Sequence, residues 1–133
     1  LSDINLNETA GLIFMGSPHS VNDDHDWIAE EIILIQQAAS KNIPVMGICF
    51  GGQMVSMALG GIVTMAPSME LGWHQIRVEH PLLLDDRKLL LPDSFEAFEW
   101  HEDTFSNPDN TIPLFHGKYI KNQGFLYGKV TWR

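Results

Sequence analysis

Apolar residues along this chain fall into short runs with two different periods. The first run, "GLIFM" at 11–15, is unbroken and closes on Gly16-Ser17-Pro18, which predicts a buried parallel strand. After a polar loop the period becomes helical. Ile28, Ile32, Ile35 and Ala39 share one face, so a helix is expected from a cap at Asp26 to about Lys41, with Glu30 and Glu31 near its positive end. Pro44 bars its continuation. "IPVMGI" (43–48) predicts a second buried strand, and strand, helix, strand in this order gives a parallel pair with a right-handed crossover. "FGGQMVSMAL" (50–59) reads as a short helix, apolar enough to be buried on most sides and stopped by Gly60-Gly61.

The second half changes character. "WHQIRVEH" (73–80) sets Trp73, Gln75, Arg77 and Glu79 against His74, Ile76, Val78 and His80. "EAFEWH" (96–101), "IPLFHG" (112–117) and "QGFLYGKVTW" (123–132) add further short strands, which together read as antiparallel strands decorating an α/β core. No repeat, low-complexity tract or linker interrupts the chain, so residues 1–133 are read as one domain.

Composition narrows the function classes. At 44% hydrophobic and 19% charged residues, the chain is globular rather than disordered. A net charge of −9 argues against a nucleic-acid partner, which would need a basic face. No apolar run reaches membrane-spanning length. The single cysteine cannot form an internal disulfide, which points to a reducing, cytoplasmic setting.

That cysteine lies in "VMGICFGGQ" (45–53). Cys49 falls between a strand ending at Ile48 and a helix starting at about Phe50, at the carboxyl edge where open α/β sheets place reactive groups. A thiol at a helix N-terminus meets unpaired N–H groups and the positive end of the dipole, which favour the thiolate. Gly47 and Gly51 flank it where a sharp strand-to-helix turn tolerates no bulk, the nucleophile-elbow arrangement with cysteine in place of serine. A small buried thiol in a βα turn is the competing reading, and the length and placement of the pattern favour the nucleophile.

"PVMGICFGGQ" resembles the nucleophile segment of the class I (triad) glutamine amidotransferases, and "GLIFMGSPHSV" resembles the glycine-rich strand-loop before it. "ELGWHQIRV" and "FEWHEDTF" are similar to later segments of the members related to the glutaminase domain of GMP synthetase, and "NQGFLYGKV" to the stretch before that family's catalytic histidine. The matches follow the family's order over nearly the whole chain. The resemblance implies a flavodoxin-like three-layer α/β sandwich, mostly parallel with added antiparallel strands. It implies hydrolysis of the glutamine side-chain amide, without a cofactor, through a γ-glutamyl thioester on Cys49, with L-glutamine as substrate and ammonia passed to a synthetase domain or partner. The oxyanion hole would use the N–H of Phe50 and of Gly16, and Gln53 would contact glutamine. His101, Glu102 and Asp103 would border the substrate through their backbone. Glu102 stands where the family has glycine, and His101 is read as near the site but not as its base.

The family's base is a histidine followed two residues later by glutamate. None of His19, His25, His74, His80, His101 and His116 has that neighbour. The chain is therefore expected to be a piece of a longer protein, lacking the family's first strand and the His-x-Glu segment beyond Arg133. Two other readings stay open: a γ-glutamyl peptidase or hydrolase using the same nucleophile, and an inactive scaffold that kept the fold. "HSVNDDHD" (19–26) gathers histidine and aspartate but reads as a solvated loop leading into a helix cap, so no metal is assigned. The six methionines read as core filler around the buried helix, and Trp73 and Trp100 as packing residues.

Overall fold

In a computed structural model the described residues are 4–79, 83–84, 87–88 and 92–128. His80 and residues 129–132, which the sequence places in strands, lie outside them. The elements in order are β1 (Leu12–Phe14), α1 (Asp26–Ser40), β2 (Val45–Gly47), α2 (Phe50–Ala58), β3 (Val63–Val78), β4 (Leu83–Leu84), β5 (Arg87–Lys88), β6 (Ser94–Phe105), β7 (Thr111–His116) and β8 (Asn122–Tyr127). The chain divides into two compact units, Leu1–Val63 and Thr64–Arg133.

In the first unit β1 and β2 pair in parallel, Leu12 against Val45, Ile13 against Met46 and Phe14 against Gly47. One core joins this pair to both helices: Phe14, Val21, Ile28, Leu34, Ile35, Phe50, Met54 and Ala58 are buried together, with Leu12 and Val45 packed on their edge. The expectation of strands buried on both faces needs correction. Alternate residues of a strand point to opposite faces, and the helices cover one; Ile13 and Met46, paired on the other, are 65% and 56% exposed.

The helix ends follow local chemistry. Asp26 is the first residue of α1, and the cap position belongs to His25, which makes no side-chain cap bond; the Asp26 cap is therefore also corrected. α1 stops before Pro44. Asn42 takes φ 57°, the Asn42 N–H donates to the Ala39 carbonyl (3.0 Å) and the Ile43 N–H to the Ala38 carbonyl (2.9 Å), a Schellman closure with asparagine at the left-handed position. α2 ends the same way at Gly60, φ 94°, with Gly61 N–H on Ser56 O and Gly60 N–H on Met57 O.

The second unit is antiparallel where its registers are defined. Its four-stranded sheet has the order β6-β3-β7-β8; Arg77 faces His116 and Val78 faces Phe115, while β7 runs against β8 from Thr111–Tyr127 to His116–Asn122 with a bulge near Phe115. The separate β4–β5 pair is antiparallel as well. The alternation read at 73–79 holds, with Ile76 buried and Trp73, Gln75, Arg77 and Glu79 exposed. β3 begins ten residues earlier than that pattern suggested, because Pro67 and Gly72 hide its start from a propensity reading. Trp73 and Trp100 are not core residues but about 70% exposed, and Trp73 meets Phe98 edge-on at 5.7 Å. Of the methionines only Met54 is in a core, with Met57 packed against it, while Met15, Met46, Met65 and Met69 are exposed; the core-filler reading is corrected to that pair.

Candidate active site at the Cys49 turn

Two residues separate the end of β2 from the start of α2. So abrupt a reversal forces Cys49 to φ 55° and ψ −116°, a region that side chains with a Cβ rarely adopt. The glycines around it are required by space. A Cβ on Gly47 would lie 2.4 Å from the Gly51 carbonyl oxygen, and one on Gly51 would lie 2.2 Å from the Phe14 carbonyl oxygen. Strand end and helix start therefore touch backbone to backbone. The Ile48 N–H donates to the Phe14 carbonyl (2.9 Å), and the Gly51 N–H to the Met15 carbonyl (3.1 Å) and the Ile48 carbonyl (3.0 Å), so the turn is tied to the end of β1.

The result is an exposed thiol on a rigid, strained corner. A Cβ on Gly16 would sit 3.6 Å from Cys49 Cβ and 3.9 Å from its Sγ, so the Gly16 backbone runs past the thiol. Phe50 opens α2, where the first N–H groups have no intrahelical acceptor, and its ring is 2% exposed, packed against Trp27 at 5.7 Å. Cys49, Phe50 and Gly16 thus come together in one unit. Gln53 lies one turn along, its N–H on the Cys49 carbonyl (3.1 Å), with only 6% of the residue exposed.

His101, Glu102 and Asp103 lie on β6, in the second unit. Glu102 is exposed. His101 Nε2 is 3.1 Å from Glu99 Oε2 and 3.3 Å from Glu70 Oε2, and its Nδ1 is 3.0 Å from the Asp103 carbonyl oxygen. All three of these neighbours are acceptors, which suits a ring bearing a proton on each nitrogen. The Glu99 hydrogen bond, reinforced by its charge, by the Asp103 carbonyl and by the Glu70 charge, raises the His101 pKa against the opposing effect of burial. Glu70, on β3 and 2% exposed, also accepts from Gln123 Nε2 (2.7 Å) and the Ile120 N–H (3.4 Å). Sequence reasoning missed Glu70, Glu99 and Gln123 as a group. The one available signal was a lone carboxylate in the apolar surroundings of "SMELGW".

The glutamine amidotransferase class-I family model matches residues 1–125, through both units. The chain is 41% identical over 76 residues to the glutamine-hydrolyzing GMP synthase of Listeria innocua, an alignment covering 57% of this chain and 14% of that protein. It is 32% identical to the GMP synthase of Borreliella burgdorferi over 83% of this chain and 20% of that one. Among solved structures, a glutamine amidotransferase from Methylobacillus flagellatus superposes with TM-score 0.82 at 34% identity, covering 92% of this chain and 49% of that one. One from Thermotoga maritima gives 0.83 at 30% identity, over 96% and 55%. The chain thus spans a quarter or less of these curated relatives and about half of the solved ones. The flavodoxin-like α/β class expected from the sequence holds.

Proposed function

The chain belongs to the class I glutamine amidotransferase family, and from that premise we propose that it hydrolyses the side-chain amide of glutamine through a thioester on Cys49. The observation that carries the proposal is the strained Cys49 corner, φ 55°, with no room for a Cβ at Gly47 or Gly51. A fold holds a non-glycine residue there when its side chain must project outward from a fixed point.

The reaction divides one displacement into two. The Cys49 sulfur adds to the carboxamide carbon, and the carbonyl oxygen takes the negative charge. The N–H groups of Phe50 and Gly16 are suited to receive it, since the first lies at a helix start and the second in backbone that passes the thiol. The C–N bond then breaks, the nitrogen leaves with an added proton as ammonia, and a γ-glutamyl thioester remains. Water attacks that thioester, giving glutamate and restoring the thiol. The proton carrier is not assigned to any of the six histidines in this sequence. His101 is a poor base on its own geometry, being placed to donate from both nitrogens. From sequence resemblance, Gln53 and the backbone of His101, Glu102 and Asp103 are proposed contacts for glutamine.

The relatives named GMP synthase support a synthetase domain or partner as the acceptor of the ammonia. Among the described residues no helix is long and apolar enough to cross a membrane. The test is to incubate the full-length protein with L-glutamine and follow ammonia and glutamate. Release in equal amounts, lost in Cys49→Ala, supports the proposal. Release from γ-glutamyl peptides but not from glutamine would replace it with the peptidase reading. No release from either, with no labelling of Cys49 by an electrophilic glutamine analogue, would overturn it.

A further inference from the structure

The loop between Gly16 and α1 brings together residues that the proposed chemistry does not use. His19, Asp23 and His25 each offer one ligand atom, and these three atoms lie within 4.8 Å of one another. The two imidazoles meet edge to face at 4.9 Å between centroids, and His19 Nδ1 is 3.5 Å from Asp23 Oδ2. We propose that this cluster binds one divalent transition-metal ion of borderline softness, of which zinc and nickel are the probes of choice.

The donor set decides the class of ion. Two imidazoles and one carboxylate suit zinc, nickel or copper(II), whereas magnesium and calcium prefer an all-oxygen shell. Bonds of about 2.0–2.2 Å require a modest inward rotation of these side chains. All three residues are exposed, so the rotation meets little resistance and water can complete the coordination.

The backbone beneath is already fixed. Val21 is buried in the core of the first unit at 3% exposure, and Asn22 Nδ2 donates to the Val63 carbonyl (3.1 Å). The Ser20 N–H donates to Asp23 Oδ2 (3.0 Å), the Asp23 N–H to the Ser20 carbonyl (3.0 Å) and the His25 N–H to the Asp23 carbonyl (3.0 Å). Sequence alone shows ligands within one stretch and suggests a floppy loop. The fold turns that stretch back on itself, so residues six apart face each other and less ordering entropy is left to lose on binding. The positive end of α1 opposes a cation at His25, and Asp23, Asp24 and Asp26 beside it offset that field.

The cluster also has a built-in reporter. The His25 ring stacks on Trp27 at 6.1 Å and 19°, and His19 meets the same indole at 5.8 Å. Drawing the imidazoles onto an ion changes the surroundings of Trp27. The inference stands whether or not Cys49 is a nucleophile.

The experiment uses the full-length protein carrying Cys49→Ser, so that no thiol competes, stripped with chelator and dialysed at pH 7.5. It is titrated with zinc chloride, and separately with nickel and magnesium chlorides, by calorimetry and tryptophan emission. The expected result is saturation at one zinc or nickel ion per chain with a change in emission, and none with magnesium. His19→Ala and His25→Ala should each weaken binding roughly tenfold or more, at least as much as removing a residue that merely orients a ligand does, with their melting temperatures unchanged. Binding that is absent, or that persists unaltered in the double histidine variant, would overturn the assignment.

Discussion

His101 Nε2 stands 3.3 Å from Glu70 Oε2, in a pair where the glutamate is 2% exposed and the histidine side chain 13%. A carboxylate so buried is costly unless its charge is met, and the ring of His101 meets it from β6 while Gln123 meets it from β8. Replacing His101 with Gln should therefore destabilise the protein by roughly 3 kcal/mol, the scale for removing one partner of a buried pair. Urea unfolding of the variant beside wild type measures the difference.

The same pair predicts a pH dependence with a definite sign. The folded-state pKa of His101 is raised, first by the Glu99 hydrogen bond, above an unfolded value of about 6.5. The stabilisation is fully present below the unfolded value and is lost as pH rises through the folded one. The stability gap between wild type and His101→Gln should thus be widest below the unfolded value and shrink as pH rises through the raised folded one. Melting curves of both proteins across that range test it; a gap that widens with pH would contradict the assignment.

Gly51 and Gly16 lie close to Cys49, and alanine should affect them in opposite ways. At Gly51 the new methyl would fall 2.2 Å from the Phe14 carbonyl oxygen. Because the obstacle is backbone, the strand–helix junction must open, and overpacking on this scale costs about 2–3 kcal/mol. At Gly16 the methyl would rest in ordinary contact, 3.6 Å from Cys49 Cβ. Gly16→Ala should keep its urea midpoint yet lose on the order of a hundredfold in glutaminase turnover, if the methyl displaces the oxyanion from its donors. Equal losses of stability in the two variants would argue against the role given to Gly16.

How much of this was legible follows from the range of the forces involved. The Cys49 turn is local: strand, Gly47, Cys49, Gly51 and helix lie within ten residues, and glycine spacing reports steric demand directly. Asn42 and Gly60 close their helices by similarly local bonding. The Glu70–His101–Gln123 network joins Glu70 to residues 31 and 53 positions away in a sheet ordered β6-β3-β7-β8, and no periodicity in one strand reveals which carboxylate its neighbour buries. The two-faced burial expected of "GLIFM" and "IPVMGI" failed for another reason. An apolar run shows that both faces tolerate burial, not that something covers both, and Ile13 and Met46 are exposed.

The strain at Cys49 gives the last prediction. A residue with a Cβ at φ 55° and ψ −116° costs about 1–3 kcal/mol, held by the surrounding structure. Glycine adopts that conformation freely, at an entropic cost in the unfolded chain of roughly 0.5–1 kcal/mol. Cys49→Ala keeps the strain and removes the thiol, whereas Cys49→Gly removes both. Both variants should lack glutaminase activity, and the glycine variant should be the more stable by about 1 kcal/mol, the middle of the strain range less the entropic term, with the two offsetting each other at the lower strain value. Paired urea titrations decide it. If Cys49→Gly is less stable than Cys49→Ala, the corner is relaxed, and its exposed thiol owes nothing to stability given up for function.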